Sequence, residues 1–224
     1  MRPESVSSRA ERVVVVTSAA LREDPGYIRD LLRPGDRLVA ADGGAEVILA
    51  LGLVPDLVVG DLDSLDPAVL ATIPGCPVRA FPARKDKTDT HLALEAALEW
   101  RPAEVVVCGA FGDRFDHSLG LVLLVAGAQW RLRVRLRSAR QEAFVVRGGD
   151  GPAVVRGRPG DVVSLLPLTP VVRGVTTSGL GYPLCRGELR WGETLGVSNE
   201  MLGEEATVEV EEGYLLVVRL DGAW

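Results

Sequence analysis

The chain has 224 residues, 47% of them hydrophobic, and a formal net charge of −6 at pH 7. That length and apolar content supply a core for one large domain or two smaller ones. The acidic balance argues against a nucleic-acid partner and leaves room only for a local anion site built from a few Arg and Lys side chains. Cys76, Cys108 and Cys185 are an odd set without metal-type spacing, so neither a disulfide framework nor a zinc site is supported. No apolar run reaches transmembrane length, and the polar N-terminus lacks the apolar stretch of a signal peptide. A cytoplasmic protein with no membrane partner and a short frayed tail is expected.

In chain order, the β-branched run at residues 13–16 predicts a buried strand, and residues 27–32 a short helix. A strand at 37–41, a helix at 45–51 and a strand at 57–59 follow, with another helix starting near residue 67. Next come a strand at 78–81, a helix at 88–100, a strand at 104–109 and a helix at 115–128. Such alternation predicts an α/β domain with a mostly parallel sheet and crossover helices. In the 88–100 helix, His91, Glu95 and Glu99 share one face while Leu94, Ala97 and Leu98 share another; Arg101-Pro102 ends it. From residue 131 the texture changes to short strands such as RLRVRLRS, EAFVVR, DVVSLLPL and YLLVVRL, separated by Gly and Pro turns. This predicts an all-β module, with a boundary between residues 138 and 142.

Acidic residues recur at the ends of the predicted strands. Asp61 and Asp63 follow the run Leu57-Val58-Val59, at the edge where open α/β sheets bind ligands, and two carboxylates one residue apart can both reach one hard cation such as Mg2+. Asp and Ser are equally the residues of turns and N-caps, so a tight turn before the helix near Pro67 is the plainer reading. Asp42-Gly43-Gly44 closes a strand and opens a helix. It is either a place where backbone amides approach a phosphate or a tight strand-to-helix turn. In RKDKTDT, Lys85 and Lys87 could neutralise phosphates while Asp89 joins the metal; alternatively Thr88 or Asp89 merely caps the helix. Arg114 offers a planar fork for phosphate oxygens and Asp116 a carboxylate for a substrate donor, or the two pair to fix the helix start. His117 fits a structural hydrogen bond better than a base, and His91 on its polar face reads as solvated. Ser198 and Asn199 lie in a Gly-punctuated loop, where they read as turn residues.

Taken together and in order, ADGGA, PDLVVGDLDSL, KDKTDT, GAFGDRFDH, GLGYPL and TLGVSNE closely resemble the thiamine pyrophosphokinase family, from about residue 13 to the C-terminus. The resemblance implies an α/β domain over residues 1–140 that binds ATP and Mg2+, and a β-sandwich over 141–224 that binds thiamine and dimerises. It implies a homodimer with thiamine sites between subunits, and transfer of a diphosphoryl group from ATP to the thiamine hydroxyl, giving thiamine diphosphate and AMP. Carried onto this chain, Asp61, Asp63 and Asp89 match the magnesium-site aspartates, Asp42 the first-motif aspartate, Arg114 and Asp116 the RFDH pair, and Ser198 and Asn199 the SN motif near the substrate. Asp113 stands where a second glycine is common, and His91 where Glu is frequent. Tyr182 and Trp191 are the aromatic candidates for stacking on thiamine. The rival readings are a pyrophosphokinase acting on another hydroxymethyl heterocycle such as a pterin, a haloacid-dehalogenase-like phosphatase using Asp61 as nucleophile, and a non-catalytic sensor. Leu65, where such phosphatases usually carry Thr or Val, speaks against the second.

Overall fold

The computed structural model describes residues 10–62, 67–127, 130 and 132–222; the polar N-terminal tail, Asp63 and the expected helix end at residue 128 lie outside them. The chain divides after Ala139 into two compact units.

The first unit runs β1 (Arg12–Thr17), a 3-10 turn (Ser18–Arg22), α1 (Gly26–Leu31), β2 (Arg37–Ala41), α2 (Gly44–Ala50), β3 (Leu57–Gly60) and α3 (Pro67–Ala71). It continues with β4 (Val78–Ala80), α4 (Asp89–Leu98), β5 (Glu104–Cys108), α5 (Phe115–Ala126) and β6 (Arg133–Arg137). The strands lie in the order β4-β3-β2-β1-β5-β6, and each neighbouring pair is parallel. Every residue of β1 is buried, which is why its sequence is a continuous valine run: a strand covered on both faces has no solvent side to alternate toward. Val14 and Val16 pack with Ile28 of α1 and with Val47 and Ile48 of α2, while Ala93, Leu94, Ala96 and Ala97 are the buried residues of α4. Each buried valine contributes about 1.5 kcal/mol or more relative to exposure. At the amino end of the sheet Arg12, 4% exposed, donates to Asp36 Oδ1 at 2.9 Å and to the Leu31 carbonyl at 2.7 Å, closing the edge opposite the one described below.

The segment RVRLR has the charge-apolar alternation of the β module but lies before the expected boundary. It pairs in parallel with β5, burying Val134 and Leu136, while Arg135 Nε meets Glu104 Oε1 at 3.0 Å. Helix α4 begins one residue later than expected because Thr88 is its cap: the hydroxyl accepts from the His91 N–H at 3.2 Å.

The second unit contains β7 (Gln141–Arg147), β8 (Ala153–Arg156), β9 (Val162–Pro167), β10 (Val171–Ser178), β11 (Gly187–Arg190), β12 (Asn199–Glu200), β13 (Glu205–Glu209) and β14 (Tyr214–Leu220). They form two antiparallel sheets, β12-β9-β14-β7 and β11-β10-β13-β8. Phe144, Leu165, Leu215 and Val217 of the first sheet share one core with Val155, Val172, Leu189 and Val208 of the second, which makes a sandwich. Among the described residues no helix is long and apolar enough to cross a membrane.

Candidate active site

In the first unit the chain winds from β1 outward to β4 and then returns to place β5 on the other side of β1. The sheet therefore has a topological switch point between β1 and β5, at whose carboxyl ends the two following loops diverge and leave a crevice. A cleft of about 830 Å³ lies there, walled by Thr17, Ser18, Ala19, Leu21 and Arg22 after β1, by Asp86, Lys87, Thr88, Thr90 and His91 around the start of α4, and by the loop and helix after β5. The two strand ends are held in contact. Thr17 Oγ1 donates to the Gly109 carbonyl at 2.8 Å, and the Gly109 N–H donates to Tyr27 Oη at 2.9 Å. Gly109 has φ +73°, and a Cβ there would come within 2.6 Å of Ala20 N and Thr17 Oγ1. Burial pushes the Cys108 thiol just before it up to about 12, so it is an inert packing group.

At the ends of β2 and β3 the acidic residues gather. Asp42 has φ 48° and donates its N–H to the Val59 carbonyl at 2.8 Å, tying the two strand ends together. Gly44 is packed so tightly on β1 that a Cβ would stand 2.0 Å from the Val16 carbonyl oxygen; this contact alone accounts for a glycine there, and Gly43 beside it is buried. Lys85 Nζ reaches Asp61 Oδ2 at 2.8 Å and Asp89 Oδ1 at 2.9 Å, with all three side chains mostly buried. Burial works against the ammonium, and the two carboxylates outweigh it, so the Lys85 pKa is raised.

Two residues 28 positions apart in sequence thus aim their carboxylates at one cation. This arrangement fits a hard divalent ion: the donors are oxygens, they converge, and a positive charge already stands between them. Among the described residues no group of three His, Cys, Asp or Glu side chains comes together, and Asp63 lies outside those residues.

Farther round the cleft the charges are exposed and paired. Arg114 Nε donates to Asp116 Oδ1 at 3.1 Å, which holds the Asp116 carboxyl below the usual range and the guanidinium above its own. Lys87 Nζ meets Glu95 Oε1 at 2.7 Å, and Arg22 pairs with Asp113 across the cleft. Thr88 lines the cleft as the helix cap, and His117 lines it from α5. His91 is half-buried against the indole of Trp130, ring centroids 6.1 Å apart and edge-on, where its sequence reads as solvated; burial lowers its pKa. The 3-10 turn that carries Arg22 has no sequence signal beyond a strand ending in Thr-Ser, because five residues are too few to show a period.

In the second unit Ser198 has φ 61° and donates its N–H to Ser164 Oγ at 3.1 Å. Asn199 is 8% exposed, and both ends of its amide are bonded: Oδ1 accepts from the N–H groups of Tyr182 and Glu200, both at 2.9 Å, and Nδ2 donates to the Tyr182 carbonyl at 2.7 Å. It holds the Tyr182 backbone while that ring stands 76% exposed, with Trp191 at 65% on a neighbouring loop.

A parallel sheet with a switch-point cleft, converging carboxylates and phosphate-binding side-chain types is the framework of an enzyme that handles phosphoryl groups. The chain belongs to the thiamin pyrophosphokinase family: the model of that family's catalytic domain matches residues 28–136 and the model of its vitamin B1 binding domain matches residues 154–215, together more than half of the chain. The thiamine pyrophosphokinase of Bacillus subtilis is 28% identical over 184 residues, 81% of this chain and 86% of that protein. A crystal structure of thiamine pyrophosphokinase from Bacillus subtilis superposes with a TM-score of 0.83 at 25% identity, covering 94% of this chain and 99% of that one. One of thiamin pyrophosphokinase from Geobacillus thermodenitrificans does so at 0.82 and 28%, covering 95% and 98%.

Proposed function

We propose that this chain is a thiamine diphosphokinase, moving the diphosphoryl group of ATP onto the hydroxyl of thiamine and releasing AMP. The observation that carries the reading is the convergence of Asp61 and Asp89 on one cation at the sheet edge, in a chain of this family. Asp61 and Asp89, with Asp63, would hold Mg2+, which supplies charge neutralisation for the triphosphate. Arg114 and Lys87 present cations to the phosphate oxygens from the cleft walls, and Lys85 keeps the carboxylates aligned. The thiamine hydroxyl oxygen forms a bond to the β-phosphorus while the bond from that phosphorus to the α–β bridging oxygen breaks; AMP leaves with that oxygen, and the hydroxyl proton passes to a carboxylate. Asp89 and Asp116 are the two carboxylates placed for that role, and the Arg114 fork reduces the affinity of Asp116 for a proton. Alignment and charge stabilisation provide most of such a reaction's acceleration.

The second unit contributes the thiamine side, with Asn199 and Ser198 shaping the loops that display Tyr182 and Trp191. The working form is a homodimer with sites between subunits, and the stripe Phe115, Leu119 and Leu123, 75%, 44% and 57% exposed at helical spacing, supports an apolar face covered by a second copy. The enzyme acts in the cytoplasm. Incubation with ATP, Mg2+ and thiamine should give AMP and thiamine diphosphate in equal amounts; AMP formed only with a hydroxymethyl pterin would replace the acceptor, and no AMP with either would overturn the reading.

A further inference from the structure

Each cation that lines the cleft among the described residues is already held by a carboxylate: Lys87 by Glu95, Arg114 by Asp116, and Arg22 by Asp113. The first two pairs are local, 8 and 2 residues apart, whereas the third spans 91 residues and joins the two walls of the crevice. Arg22 closes the 3-10 turn after β1, and Asp113 sits in the loop after β5, so they face each other across the switch point itself. Their side chains are 65% and 72% exposed. An ion pair that open to water is weakly held. A guanidinium fork pairs with carboxylate and phosphate oxygens in the same geometry, but a phosphate chain brings more negative charge and more acceptor oxygens than one carboxylate. A phosphate entering the cleft therefore outcompetes the carboxylate at little cost.

We infer that Arg22 is a phosphate ligand for the nucleoside triphosphate and that Asp113 is its built-in competitor, so the pair sets the Michaelis constant for the nucleotide. This rests on the diphosphokinase reading of the cleft. A simple strap between the two walls would make the loss of either partner equivalent. Competition makes the two losses opposite.

The test is steady-state kinetics of Arg22→Gln, Arg22→Lys, Asp113→Asn and the double variant Arg22→Gln/Asp113→Asn, with ATP varied at saturating thiamine. Calorimetric binding of ATP with Mg2+ and no thiamine runs beside it. Arg22→Gln should raise KM for ATP about tenfold while kcat changes less, and Arg22→Lys should recover part of the loss. Asp113→Asn should lower KM about two- to fivefold, and the double variant should show no such gain, since there is no longer an arginine to release. If Arg22→Gln and Asp113→Asn both raise KM, or neither moves it, the inference is overturned. If no thiamine diphosphate forms but ATP binding still weakens in Arg22→Gln and tightens in Asp113→Asn, Arg22 stands as a phosphate ligand and the acceptor assignment falls instead.

Discussion

The two units use polar side chains in opposite ways. In the first, Asp61 and Asp89 share the Lys85 ammonium and leave the backbone to the parallel ladder, so the carboxylates are directed at the sheet edge. In the second, Asn199 spends both ends of its amide on main-chain N–H and C=O groups, and what faces solvent is a tyrosine ring. Parallel strands all end at one edge and are joined by crossover connections that run back over the sheet, so side chains there need not build tight hairpin turns. An antiparallel sandwich makes its surface from short loops, and the loops themselves need polar groups to hold them. The lesson is that motif residues of one family can be held in opposite ways: carboxylates gathered on a side-chain cation in one unit, an amide bonded to its own loops in the other.

That contrast breaks most sharply at Asp61. Asp61→Asn should reduce turnover about 100-fold or more, with a thermal midpoint close to wild type; a large drop in midpoint with ordinary specific activity would mean that the cluster is architectural after all. Asn199→Ala should behave in the reverse manner. Losing three hydrogen bonds at a buried amide costs about 1–3 kcal/mol, read from chemical denaturation, and KM for thiamine should rise about tenfold while KM for ATP moves little. Equal effects on both substrates would erase the distinction.

A third expectation concerns Asp161, which is 4% exposed. Burial alone would raise its pKa, but N–H donations from Gly222 and Arg158 and the Arg219 guanidinium at 2.8 Å overcome that and hold the carboxyl below its ordinary value. A depressed carboxylate contributes stability above its unfolded pKa and loses it as pH falls through the folded value. Acid titration of stability should therefore show a loss beginning below about pH 4 that Asp161→Asn flattens, with the variant less stable near neutrality. A wild-type curve parallel to the variant's would remove this pair from the account. The smallest effect belongs to Lys87→Ala: its partner Glu95 is exposed, so stability should change by less than about 1 kcal/mol and KM for ATP by about threefold at most.

The buried parallel strands were legible because burial on both faces writes itself as unbroken runs, as in Val13-Val14-Val15-Val16 and Val105-Val106-Val107. Strand β6 was legible as a strand but not as a parallel one, since charge alternation is shared by strands of either unit and only its partner decides. Strands β11 and β12 hide among glycines, the second being two residues long. In the site, the strand ends carrying Asp42 and Asp61 followed from the apolar runs before them. That Asp61 and Asp89 would share Lys85 did not, because the contact depends on α4 packing over β3 rather than on any spacing within the chain. Arg22 and Tyr27 escaped for the same reason: their partners Asp113 and Gly109 lie more than 80 positions away.

The contact between Gly44 and the Val16 carbonyl also bears on how such a protein can change over generations. A single added methyl there would lever α2 off β1 and carry Asp42 with it, so packing alone closes this position to mutational drift. Gly35, with open space around it, can be explored freely apart from its backbone preference. Selection for a new acceptor would therefore accumulate its changes on the loop rims and leave the helix–strand seam untouched, and a library randomised at Gly44 should return almost nothing but glycine.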